Sequence, residues 1–274
     1  MIKLSTMTSV CPDMSLDTII SAMKRHGYEG LEPRLGWGHA AGIETDMTVA
    51  ERSEARKKIE AAGLAFSCIA TGAKLAAPGA RELLDSIRET RKAIDLAADL
   101  GAALIRTFGG PRGAGDLHWI VKRTADAYRE VVDYAAQRDV AILMETHDEW
   151  CVSAQVRAVI EEVDYTNLRA LWDIMHPQRF MERPAETMAN IGHLTAHVHA
   201  HDGIYDKPGE KITTLGNIGK GAIDHATPLE LLSKAGFDGY FSLEIIHAPG
   251  SDHDPHGVLE RCAESFRQIM QKLG

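Results

Sequence analysis

The sequence predicts a (β/α)8 barrel, the TIM barrel fold of the α/β class, and three observations carry that prediction. Eight short apolar runs alternate with longer amphipathic stretches. The starts of successive runs lie 26 to 46 residues apart, the spacing of strand–helix units. Several runs end on a carboxylate, which in a barrel places those carboxylates on one face, the face where active sites of this fold lie. A chain of 274 residues matches one such barrel, so a single domain over residues 1–274 is expected. A doubly wound open sheet would more often show five or six strands and a glycine-rich first turn, and no such turn is found.

Taken in order, strands are expected at residues 2–7, 29–32, 64–70, 102–107, 140–145, 168–173, 194–199 and 240–244, each followed by a helix. Gly27, Gly63, Gly101, Gly192 and Gly236 stand just before strands, where a helix stops on a residue of positive φ, and Asp139 and Asn167 are expected to do the same. Helix-to-strand connections are short. Four strand-to-helix connections are long, at residues 36–44, 109–117, 203–224 and 247–256, and in a barrel all of them crown the C-terminal face.

Composition excludes several classes. The 30 Lys and Arg against 39 Asp and Glu give a net charge of −9, so nucleic acid and anionic membrane are not expected partners. Cys11, Cys68, Cys151 and Cys262 form no Cys-x-x-Cys pair, which points to reduced thiols in a cytoplasm and to no structural zinc. The opening Met-Ile-Lys-Leu-Ser-Thr-Met reads as a strand rather than a signal peptide, and no apolar run reaches membrane-spanning length.

The seventh strand carries the chemistry. In Leu194-Thr-Ala-His-Val-His-Ala-His-Asp202, period-two alternation puts His197, His199 and His201 on one face. Strands buried on both sides normally carry Val, Ile or Leu there. Three other runs end on Glu145, Asp173 and Glu244. Carboxylates about 4 Å apart repel by roughly 4 kcal/mol per pair at an effective dielectric near 20. A divalent cation shared with His199 resolves that conflict. Three oxygens and one imidazole suit Mn2+ best, with Mg2+, Co2+ or Zn2+ as alternatives.

The motifs Met-Glu145-Thr-His147, Trp-Asp173-Ile-Met-His176, His197-Val-His199-Ala-His201-Asp202, Gly219-Lys-Gly221-Ala-Ile-Asp224 and Ser-Leu-Glu244 together resemble the sugar phosphate isomerase/epimerase family of xylose isomerase-like TIM barrels. The resemblance runs over nearly the whole chain and is specific for the superfamily, not for a substrate. It implies one metal ion held by Glu145, Asp173, His199 and Glu244, and a small carbohydrate substrate with His176 touching one of its oxygens. Glu145 and Glu244 would double as the acid/base pair on opposite sides of a keto sugar. Relatives are often dimers or tetramers, so a homo-oligomer is expected.

A site of this kind takes a proton from the carbon beside a carbonyl, and the cation stabilises the resulting enediolate. Returning the proton to the other face gives an epimer, and returning it to the next carbon gives an aldose/ketose isomer. Losing a β-substituent gives a dehydratase or lyase. The residues leave this branch open, with isomerase or epimerase preferred and a lyase on a keto-inositol, keto-glycoside or related polyol as the alternative; a non-catalytic sugar-binding barrel is a weaker one. A zinc endonuclease of the same barrel class needs extra histidines that the 64–70 and 102–107 strands and the 203–217 loop lack.

Further substrate contacts are expected from His147, from Arg106 at the end of the fourth strand, from Glu32 at the end of the second, and from Trp37, whose flat face suits a sugar. Asp202 is expected to orient His176 or His199, Arg112 is a lesser anion-binding candidate, and His197 reads as a hydrogen-bonded packing residue.

Overall fold

Alternation along the strands decides what this molecule keeps inside its sheet. On successive strands Leu143 lies two residues below Glu145 and Leu171 two below Asp173, and the two leucines pack with Cys68 in a small apolar cluster of their own. The carboxylates therefore stand one layer above an apolar floor.

A computed structural model describes residues 1–209 and 211–273. The elements are β1 (Lys3–Met7), α1 (Leu16–His26), β2 (Gly30–Glu32), α2 (Val49–Ala61), β3 (Ala65–Phe66), β4 (Ile69–Lys74), α3 (Ala80–Leu100), β5 (Leu104–Phe108) and α4 (Leu117–Ala136). They continue with β6 (Ala141–Glu145), α5 (Ser153–Val163), β7 (Leu168–Asp173), α6 (Met175–Arg179), α7 (Pro184–Ile191), β8 (Thr195–Ala200), β9 (Asp202–Ile204), β10 (Thr213–Leu215), α8 (Ala226–Lys234), β11 (Tyr240–Leu243) and α9 (Pro255–Leu273). The main sheet runs β3-β2-β1-β11-β8-β7-β6-β5-β4, and its pairings are parallel. β3 and β4 are two halves of one barrel strand: β3 pairs with β2, β4 pairs with β5, and an Arg34–Ala70 bridge spans the seam. This is the TIM barrel that the sequence predicts, with the expected 64–70 strand broken at Ser67 and Cys68 and prolonged to Lys74.

Local signals explain most boundaries. Ser15 caps α1 by accepting from the Thr18 amide, and Gly27 ends the helix at φ 77°. Thr48 and Glu51 close a capping box on α2. Gly63, Gly101, Gly236 and Asp139 also take positive φ, as expected. Two expectations need correction. Gly192 is right-handed, because α7 tightens into a 3-10 turn there instead of stopping, and it is the Met188 side chain that leaves no room for a Cβ. The left-handed stop of α5 is Asp164 rather than Asn167, whose side-chain amide instead donates to the carbonyls of Val132 and Val140.

The 203–224 connection is also more than a loop. β9 and β10 form an antiparallel hairpin inside it, the part of the chain that strand-length apolar patterning does not announce. Among the described residues no helix is long and apolar enough to cross a membrane.

Candidate active site

Glu145 ends β6, Asp173 ends β7, His199 lies near the end of β8, and Glu244 follows β11, its amide donating to the Ala200 carbonyl at 3.0 Å. In the sheet register Asp173 and Ser242 flank His199 on either side. The four side chains are buried, and ligand atoms from each lie within 4.8 Å of one another. The sequence-predicted quartet is thus brought together at one mouth.

Three of the four are oriented from behind. His199 Nε2 is 2.9 Å from Glu32 Oε1, while Nδ1 is 2.9 Å from both Glu145 Oε1 and Glu244 Oε2. The Glu32 carboxylate holds the hydrogen on His199 Nε2, the arrangement that commonly lies behind a metal-binding histidine. Asp173 Oδ1 accepts from the Met175 and His176 amides at 2.8 and 3.1 Å, starting α6, and His201 Nε2 reaches both carboxylate oxygens, 3.2 Å from Oδ1 and 2.9 Å from Oδ2. Arg106 is fully buried beside Glu145, Nε to Oε2 3.3 Å, over the Phe108 ring and bonded to the Thr71 carbonyl.

These contacts set the protonation states. Burial pushes the Glu244 carboxyl up, but His199, with His201 and Arg106 behind it, outweighs burial and holds it down at about 2. Burial also opposes ionisation of Asp173 and Glu32. Even so, His176 and His201 keep the first, and His199 and His197 the second, well below the usual carboxylate range. Burial works against charge on His199, yet Glu32, Glu244 and Glu145 raise it well above an ordinary imidazole.

The donor set fits a divalent cation. Glu145 Oε2, Asp173 Oδ2 and Glu244 Oε2 are buried without a well-formed hydrogen bond, although each lies within ion-pair distance of a cationic side chain. Buried, underused carboxylate oxygens converging beside an imidazole nitrogen are what a hard ion with one nitrogen ligand requires.

The remaining sequence-predicted residues divide. His176 and His147 are at the mouth, their rings edge to face at 4.4 Å, with His147 also against Phe108. Trp37 is 37% exposed and lies over the Arg34 guanidinium at 4.6 Å. Glu32 corrects its expectation: it is fully buried, and its two oxygens go to His197 and His199, leaving none for a substrate. Arg106 likewise has no solvent-facing surface and sits with Glu145, not at an open rim. Asp202 touches neither His176 nor His199. Its carboxylate accepts the amides of Gly203, Lys220, Gly221 and Ile223 and so ties down the Gly219-Lys-Gly221 stretch. Arg112 pairs with Glu149 and Gln155 on the outer loop. His197 packs as expected, bonded to Glu32.

Sequence reasoning missed Arg34, His201 as the partner of Asp173, and Arg179, whose Nη1 is 3.2 Å from His176 Nδ1. Arg179 had a legible signal, three residues after His176 on a helix, where side chains share a face.

Residues 20–269 match the profile of the xylose isomerase-like TIM barrel family. The chain belongs to that family. Among curated proteins, a 93-residue stretch is 36% identical to the uncharacterised protein MJ1311 of Methanocaldococcus jannaschii, covering 31% of this chain and 28% of that one. Among solved structures, the barrel is similar to the IOLI protein with a bound zinc atom (TM-score 0.84, 17% identity, 100% and 99% of the two chains). It is also similar to an L-ribulose 3-epimerase (0.81, 16%, 100% and 96%) and to the probable 3-DHS dehydratase AsbF of Bacillus anthracis (0.78, 17%, 97% and 99%).

Proposed function

We propose that this family member is a divalent-metal-dependent isomerase or epimerase acting on a keto sugar or sugar derivative. The observation that carries the reading is the placement of Glu145 and Glu244, each with one oxygen 2.9 Å from the same nitrogen of His199. Glu145, Asp173, His199 and Glu244 would hold the ion, Mn2+ by preference given three oxygens and one imidazole, with Mg2+, Co2+ or Zn2+ as substitutes. When bound, the ion supplies the positive charge that stabilises a substrate oxygen as the neighbouring carbon loses its proton.

The chain's own residues then divide the work. One of Glu145 and Glu244 accepts the proton and the other returns one. His176 meets a substrate oxygen, His147 lines the rim beside it, and Trp37, braced by Arg34, offers a flat face to a sugar ring. Arg106 offsets the charge of Glu145 from below. The epimerase neighbour supports this class and the dehydratase neighbour its lyase alternative. The four free, buried cysteines support a reducing, cytoplasmic setting.

The test is proton exchange. Incubating the manganese-loaded protein in D2O with a panel of keto sugars, 3-keto glycosides and inosose, followed by NMR, should show deuterium entering the carbon beside the carbonyl and an isomer accumulating. A product lacking water or aglycone assigns the lyase class instead, and no exchange on any substrate leaves a binding barrel.

A further inference from the structure

Within the proposed reaction, His176 has an unassigned partner that decides what its ring can do. The ring is 5% exposed, and its Nε2 is a buried polar atom with no hydrogen-bond partner, 3.8 Å from Asp173 Oδ2 and so directed at the candidate metal centre. Its other nitrogen, Nδ1, is 3.2 Å from Arg179 Nη1. A guanidinium has donors only. Nδ1 must therefore accept, its lone pair is used, and the neutral ring carries its hydrogen on Nε2.

We infer that Arg179 is a positioning residue, which locks His176 in the Nε2–H tautomer so that this histidine donates a hydrogen bond to a substrate oxygen beside the ion. The same tautomer would keep Asp173, His176 and His201, whose ligand atoms also fall within 4.8 Å of one another, from forming a second cation site. His176 offers that space a hydrogen rather than a lone pair, and His201 Nε2 is engaged with Asp173. This inference rests on the isomerase reading for its kinetic consequence but not for its structural one.

The two are separated by measuring the tautomer directly. Long-range 1H–15N spectra of the full chain, with His176 assigned from the His176→Gln spectrum, should show the Nε2–H pattern in the native protein. They should show loss of that preference in Arg179→Met and its retention in Arg179→Lys, which keeps a donor at the position. With a turned-over substrate, Arg179→Met should lower kcat about tenfold to a hundredfold, on the scale of one lost transition-state donor, with little change in KM, and Arg179→Lys should recover most of it. Circular dichroism confirms that both variants fold. A native His176 with its hydrogen on Nδ1, or an Arg179→Met protein with unchanged spectrum and kcat, overturns the inference. If no substrate in the panel exchanges, the functional reading falls while the native and variant spectra still decide this one.

Discussion

Two buried histidines at one barrel mouth, His199 and His176, are backed by groups of opposite sign. Behind His199 stands the Glu32 carboxylate, which takes the Nε2 hydrogen and leaves Nδ1 facing Glu145 and Glu244. Behind His176 stands the Arg179 guanidinium, which occupies Nδ1 and leaves Nε2–H facing the pocket. Under the proposed function, one ring thereby gives a lone pair to a cation and the other gives a hydrogen to an oxygen. What a histidine does here is written in the residue behind it.

The comparison is sharpest where the cation side is damaged at its chemistry. Glu244→Gln should reduce turnover by about 10^2- to 10^4-fold, the range of a lost general acid or base, with circular dichroism unchanged. Full activity would contradict the assignment of that carboxylate.

The opposite protonation tendencies of the two rings give a second way to break the comparison. His176 is pushed down to about 4, by burial first and then by His147 and His201, against the pull of Asp173. Its folded-state value lies below the ordinary 6.5, so the stability it contributes is fully present above pH 6.5 and is lost as pH falls towards 4. Replacing it with Gln should flatten that acid limb, by up to about 3 kcal/mol, in chemical denaturation across the window. In chelated protein His199 runs the other way. With a value raised well above 6.5, its contribution is full below pH 6.5 and is lost as pH rises through the raised value.

Glu32→Gln tests the backing group itself. Removing its charge should weaken metal binding about 10- to 100-fold, as losses behind a metal ligand commonly do, read by titrating manganese into chelated protein. An unchanged affinity would mean that Glu32 is only filling space. The smallest effect is in the proton balance. Because Nδ1 of metal-free His199 is held protonated, manganese uptake at neutral pH should release about one proton, visible as buffer-dependent heats in calorimetry, whereas His176 should release none.

How much of this was legible follows from the range of each signal. Strand ends and their carboxylates are local, so Glu145, Asp173 and Glu244 could be placed from where apolar runs stop and His199 from alternation, and the barrel with them. The role of Glu32 was not, because its partners His197 and His199 are 165 and 167 residues away and meet it only across the closed sheet. Arg106 reads as a strand-end cation in sequence, and only the fold shows it sealed beside Glu145. Asp202 misled for a simpler reason: a carboxylate next to histidines suggests an orienting contact, whereas backbone amides from residues 220, 221 and 223 reach it first.

That last arrangement has an evolutionary consequence. Asp202, Gln178 and the buried Ile218 and Ile223 together fasten the segment carrying the β9–β10 hairpin, so the chain between its two strands can lengthen, shorten or change composition while the barrel stays fixed. Under the proposed function, new substrate ranges can then arise by editing that hairpin, with no need to rebuild the residues proposed to hold the ion.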